Sequence, residues 1–157
     1  MSVETRRLYQ TFGFPRQLRL IKSEDFSKIL TAPRDTTLRV HSHHFTATVM
    51  LRSREQGPLR IGITVGKKNA HRSVDRALVK RTLRETARHQ APYLIALLCD
   101  TGVGLDVSLR LKKALSTIPG TDTGVRALKQ ALREDAQELM TRLQARLESV
   151  NSRKRDF

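Results

Sequence analysis

Three stretches of the chain alternate apolar and polar residues with a period of two. Phe45, Ala47, Val49 and Leu51 form the first, Leu59, Ile61, Ile63 and Val65 the second, and Val107, Leu109 and Leu111 the third. Side chains on a strand point to opposite faces in turn, so this pattern predicts three strands with one face in a core. Thr37–Val40 predicts a fourth, shorter strand, and His41–His44 breaks the alternation as a turn or bulge would. The opposite face carries Thr46, Thr48, Arg60, Gly62, Thr64, Ser108, Arg110 and Lys112. It reads either as a solvated sheet surface, which the pattern alone favours, or as a groove floor that accepts a nucleic-acid strand.

Three other stretches carry apolar residues at three- and four-residue steps, the helical period. The first begins at Ser23, a residue able to cap, with Glu24 and Asp25 suited to the positive end of the helix dipole. Phe26, Ile29 and Leu30 form its apolar side, and Pro33 closes it. The second is expected from about Val74 to Gln90, capped by Ser73, with Val74, Leu78, Leu83 and Ala87 buried beside Thr82 and Thr86. Pro92 is read as its end, and residues 92–105 as a loop with one apolar turn at Tyr93–Leu98. The third, about Asp122 to Val150, carries Val125, Leu128, Leu132, Ala136, Leu139, Leu143 and Leu147. Packing on the sheet is the favoured reading of that stripe, and a partner helix the alternative. The chain thus divides into a flexible extension over residues 1–13, one domain over residues 14–150 and a basic tail over residues 151–157.

Charge sharpens this picture. The 157 residues carry 30 Lys and Arg against 15 Asp and Glu, net +15. Charge of that size concerns partners rather than fold, and points first to nucleic acid and second to an anionic membrane surface. Its placement is uneven: residues 60–90 hold nine Lys and Arg and two acids, while residues 122–150 hold five of each. The core must be aliphatic, because the chain has no Trp, five Phe and two Tyr. The single Cys, Cys99, excludes an internal disulfide and a multi-Cys zinc site. No apolar run approaches the ~20 residues that span a bilayer, and the first ten residues lack a signal-peptide core. The expectation is a soluble, cytoplasmic protein.

Catalytic motifs are missing. Gly62 and Gly66 precede Lys67-Lys68, but a P-loop needs four residues between its glycines and Ser or Thr after the Lys. Gly102 and Gly104 lack a third glycine and a strand–helix context. His41, His43 and His44 have no nearby Cys or conspicuous carboxylate, so they read poorly as a metal site. Glu24-Asp25 and Glu134-Asp135 are adjacent on helices, hence about 100° apart, and are explained by capping and by a solvated face. No catalytic residue and no metal ligand is assigned.

Phosphate binding remains. Lys67, Lys68 and Asn69 lead into a helix start, where free backbone N–H groups and the positive dipole end favour anions. Arg72, Arg76, Lys80, Arg84 and Arg88 follow at four-residue spacing, and Arg81 stands beside them. Like charges at that spacing destabilise an isolated helix, so the pattern makes sense against a polyanion. His71 and His89 sit among these cations and read as aids to phosphate contact.

At these residues the chain resembles the protein subunit of bacterial ribonuclease P. The family pattern has a strand ending G-[LI]-x-V, then K-K, a linker, and R-N-R-x-K-R-x-x-R-E. Gly62-Ile63-Thr64-Val65, Lys67-Lys68-Asn69, Arg76 through Arg81 and Arg84-Glu85 follow it in order. Phe14-Pro15-Arg16, Leu18-Arg19-Leu20 and Asp25-Phe26 are similar to the family's N-terminal segment, and Asp106 through Lys112 to its last strand. Ala77 and Leu78 stand where the pattern has Asn and Arg, and Leu30 and Thr48 where its groove is often aromatic.

The resemblance implies an α+β fold, an αβββαβα sandwich with a mainly antiparallel four-stranded sheet and a left-handed βαβ crossover, like a domain of a ribosomal protein. It implies two partners, the catalytic RNA subunit and precursor tRNA, and endonucleolytic removal of the 5′ leader by a holoenzyme whose RNA carries the catalysis. Mg²⁺, held mainly by that RNA, is the implied cofactor; no membrane and no stable protein partner are implied. Lys67, Lys68, Asn69, Arg72, Arg76, Lys80, Arg81, Arg84 and Arg88 would bind the RNA subunit. Phe14, Arg16, Phe26, Arg60, Arg110 and Lys112 would form the leader groove, with Phe26 stacking on bases. The rival reading is a structural RNA-binding protein of ribosomal type, without a role in tRNA processing. A protein-only nuclease is a third, disfavoured by the lack of clustered carboxylates.

Overall fold

The computed structural model describes residues 16–53, 55, 57–98, 101–115 and 122–155. Phe14, Cys99 and the extension over residues 1–13 lie outside them. A short 3-10 turn, Arg16–Leu18, precedes α1 (Ser23–Thr31), β1 (Thr37–His41), β2 (Phe45–Ser53) and β3 (Leu59–Thr64). Then come α2 (Ser73–Leu98), β4 (Val103–Leu111) and α3 (Asp122–Arg155). The strands lie in the order β1-β2-β4-β3. β1, β2 and β4 pair antiparallel, and β3 pairs parallel to β4, to which it is joined through α2.

Strand parity sorts the two faces. Val40, Phe45, Ala47, Val49, Leu59, Ile61, Leu105, Val107, Leu109 and Leu111 are all buried in one cluster with the apolar sides of α2 and α3. α1 lies on the other face. Its Ile29 is fully buried, with Leu20, outside the main cluster. A Cβ at Gly62 would collide with the Phe26 ring and crowd Leu20, so glycine is what lets α1 settle on β3.

Several boundaries differ from the pattern. No side chain caps α1: Lys22 holds the cap position, and the helix begins at Ser23. Pro92 lies inside α2 rather than ending it. An internal Pro removes one helical hydrogen bond and costs roughly 3 kcal/mol. Leu94, Ile95 and Leu98 are buried beyond it, each worth roughly 1.5–3 kcal/mol, so continuing the helix wins. The buried line of α2 keeps the expected Leu83 and Ala87 but differs in its first two turns. It runs through Asp75, Val79, Leu83, Ala87 and Ala91, while Val74 is 72% exposed and Leu78 half-buried. β4 starts at Val103, where it meets Ser53, rather than at Val107. In α3, Leu132, Ala136, Leu139, Met140 and Leu143 are buried against the rest of the fold, so the middle of the stripe packs inward, while Leu128 and Leu147 are half-buried and Val125 is exposed. The helix runs on through Asn151–Arg155.

Candidate nucleic-acid interface

The cations of α2 stand one residue around from its buried line, which places them in a row beside the core rather than scattered over the molecule. They are not equivalent. The Arg72 guanidinium donates to both oxygens of the buried Asp75, at 2.9 and 3.1 Å. That hydrogen bond, then the Asp75 charge, raises the Arg72 pKa above its ordinary value. Arg76 folds back and donates to the carbonyls of Ala70 and His71, at 3.0 and 2.8 Å, bracing the turn that starts the helix. Arg88 is half-buried, pairs with Glu85 at 2.9 Å and leaves a buried Nε without a partner. Lys80, Arg81 and Arg84 are exposed and unpaired among the described residues. So are Lys67 and Lys68, in the turn before the helix. The row therefore splits into cations that build the helix start and cations free to meet an anion. Asn69 belongs to the first kind: its amide donates to the Leu111 carbonyl at 3.0 Å, tying the turn to the end of β4.

On the sheet's polar face, two cavities among the described residues lie where the groove was expected, each bordered by α1. One, about 260 Å³, is lined by Leu30, Arg39, His41, Thr46, Thr48 and Asn69 with Ser108, Arg110 and Lys112. The other, about 640 Å³, is lined by Arg16, Arg19, Lys22, Lys28, Asp25 and Arg60 among others. Arg110 and Lys112 are thus brought together, while Arg16 and Arg60 lie across the helix from them. Phe26 lines neither cavity; it is half-buried and seated on Gly62, an anchor for α1 rather than an open stacking platform. Arg39 escaped the sequence reading, and His41 was weighed there only as a metal ligand. Their signal was available, since pairing puts them opposite Thr48 and Thr46 on the polar face.

Arg60 departs furthest from its expected role. Its guanidinium grips both oxygens of Asp106, at 2.9 and 2.6 Å, and reaches Asp25 at 3.4 Å. Hydrogen bonding to Asp106, against a smaller opposing effect of burial, raises its pKa. Arg52 donates to the same Asp106 at 2.6 Å and to the Gly57 carbonyl at 2.7 Å. Its guanidinium crosses Gly104, where any Cβ would collide with it. Asp106 is 1% exposed and is the hub that holds two arginines beneath the polar face. The composition of β4 marks it only as one polar position among several.

Asp135 is a second carboxylate placed by tertiary contact. It is buried, not on a solvated face. It accepts hydrogen bonds from the Ser42 hydroxyl at 2.8 Å and from the His43 and His44 amides at 3.1 and 2.8 Å, closing the β1–β2 turn. Burial alone would raise its pKa; the amides and the hydroxyl overturn that and hold it below the ordinary value. The His44 ring lies 3.4 Å from the same carboxylate, without hydrogen-bond alignment. Burial lowers its pKa despite Asp135, with His43 and Lys113 adding to the fall.

Among the described residues no three His, Cys, Asp or Glu side chains converge as a metal site would require. The carboxylates of Asp106 and Asp135 are filled by guanidinium, hydroxyl and amide donors, so neither offers free ligands to a divalent cation. Among the described residues no helix is long and apolar enough to cross a membrane.

An α+β sandwich with helices on both faces, and with Lys80, Arg81 and Arg84 exposed and unpaired among the described residues on its crossover helix, has the build of a polyanion-binding protein. Comparison with known proteins narrows this. A sequence model of ribonuclease P matches residues 14–151, and the chain belongs to that family. The ribonuclease P protein component of Ralstonia pickettii is 35% identical over 128 residues, covering 81% of this chain and 79% of that one. That of Idiomarina loihiensis is 32% identical over 100 residues, 61% of this chain and 76% of that one. Among solved structures, the Staphylococcus aureus RNase P protein covers 79% of this chain and 93% of its own, at a TM-score of 0.54 and 17% identity. The Thermotoga maritima RNase P protein, in complex with 1-(4-fluorophenyl)-2-thiourea, covers 79% and 98%, at 0.51 and 23%. These likenesses show the fold. The chain is a ribonuclease P protein component, acting in tRNA processing as part of that holoenzyme.

Proposed function

We propose that the chain binds the catalytic RNA subunit through Lys67, Lys68, Lys80, Arg81 and Arg84, and the 5′ leader of precursor tRNA beside α1. The observation that carries this reading is the set of five exposed, unpaired cations along one helix and the turn before it. Arg offers phosphate a two-pronged donor and Lys a mobile point charge. Both reduce the repulsion between RNA segments that must approach closely. The cavity with Arg39, Arg110 and Lys112 offers cations and hydroxyls to a single strand. Arg72, Arg76 and Arg88 act by shaping the helix, and Phe26 and Arg60 by holding α1 and the sheet. Bond cleavage belongs to the RNA, which also holds most of the Mg²⁺; this chain's residues bind, orient and screen. Reconstitution with the cognate RNA subunit at low magnesium tests the proposal. Leader removal should accelerate at least tenfold over RNA alone, and no acceleration would overturn it.

A further inference from the structure

Between α2 and α3 runs a groove of about 620 Å³ on the helical side of the molecule, away from both α1 cavities. Arg81 reaches it from α2, and Lys129 and Arg133 from α3. All three are exposed and unpaired among the described residues. The one acidic residue in the lining, Glu85, is held by Arg88 at 2.9 Å. Across residues 122–150 α3 is neutral in sum, which hides its asymmetry. Asp135 is buried in the β1–β2 turn, Glu138 pairs with Arg142 at 2.6 Å, and Glu134 and Glu148 accept from Gln130 and Gln144 at 3.0 Å. None of these four acids lines the groove, and Lys129 and Arg133 stand one turn apart facing Arg81. Like charges so placed repel one another in the free protein.

Leu78 lines the same groove, half-buried, at the position where the ribonuclease P pattern has Arg. A cation absent from α2 is thus matched by two offered from α3. We infer that the α2–α3 groove is a second phosphate-binding surface of this chain, gripping the sugar–phosphate backbone of the catalytic RNA subunit, with Lys129 and Arg133 in place of the missing Arg. The inference rests on the proposed function and extends it to a helix that the motif does not include. RNA would then meet the helical layer, while the leader meets the opposite face of the sheet.

Retention of the cognate RNA subunit by the full-length chain, measured over a range of salt, tests this. K129A/R133A should bind about tenfold more weakly at about 0.15 M salt, and the slope of log K against log salt should become shallower by about 1.8, roughly 0.9 for each lost contact. K129E/R133E should bind more weakly still, with an unchanged melting temperature showing that both variants fold. Affinity within twofold of the parent chain in both variants overturns the inference, and would leave the groove to an acidic protein segment. K80A/R84A is measured in parallel. A loss there alone sinks the α3 surface and spares the proposed function; no loss in any variant sinks both.

Discussion

Asp106 shows how much one buried charge can carry. A carboxylate taken out of water is tolerated only when it is paired and hydrogen-bonded, and Arg52 and Arg60 do both. Removing the charge leaves two guanidinium groups facing each other across the polar side of the sheet. Asp106→Asn should therefore lower unfolding stability by about 3 kcal/mol, the range for breaking a buried pair. Urea denaturation would measure it, and a loss under about 1 kcal/mol would show that solvent replaces the pair. Asp135 and His44 make stability depend on pH with one sign. Both pKa values are lower in the folded chain than the ordinary 3.8 and 6.5. For each group the unfolded state binds more protons, so its contribution is present above the ordinary value and lost as pH falls through the folded value. Stability should drop first below about pH 6.5 and again in the carboxylate range. His44→Gln should remove the first drop and Asp135→Asn the second, as read from urea midpoints at stepped pH. An unaltered profile in both variants would exclude this turn as the source.

The elements follow from local pattern until packing overrules it. α1 is short and polar, and one close approach seats it: the Phe26 ring on Gly62. Gly62→Ala should destabilise the protein by about 1–3 kcal/mol, the cost of forcing a methyl into a filled site. Phe26→Ala should cost stability as well, by removing the anchor. The double variant should lose less than the sum of the two, since the added methyl then meets empty space. Additive losses in thermal unfolding would mean that the two side chains do not meet. Pro92 carries the same lesson. Read locally it ends a helix, yet the apolar turn beyond it has nowhere better to go than the core, and α2 continues to Leu98.

At the level of the whole molecule, the free cations mark the α2 side, and the α1 side is partly neutralised from within. Arg52 and Arg60 are spent on Asp106 and Asp25, so the net charge of +15 overstates what RNA can meet. If about five cations neutralise phosphates of a duplex segment, log K should fall against log salt with a slope near −4.5. K80A/R84A should flatten it by about 1.8 and weaken substrates with and without a leader alike. R39A/R110A should weaken only the leader-bearing substrate. Equal losses on both substrates in R39A/R110A would move the leader off the sheet face.

How much of this was legible follows from the range of the forces. Alternation over Phe45–Leu51 and Leu59–Val65 revealed the strands because side-chain direction on a strand is a local property. The row Arg72, Arg76, Lys80, Arg84 and Arg88 revealed a basic helix face for the same reason, and the motif around it named the family. Which of those cations are free, what Asp106 and Asp135 hold, and that Phe26 seats a helix were not legible. The α2 cations are settled by partners three to six positions away, which only the folded helix and its start bring into reach. The others depend on groups brought together from distant parts of the chain: Ser42 meets Asp135 93 positions away, and Arg52 meets Asp106 54 positions away. Sequence alone determined the kind of surface this protein presents, because charge and periodicity are written residue by residue. The tertiary structure alone decided which charges of the sheet and its turns are spent on one another, because the pairing and desolvation of Asp106 and Asp135 exist only once the chain has closed on itself.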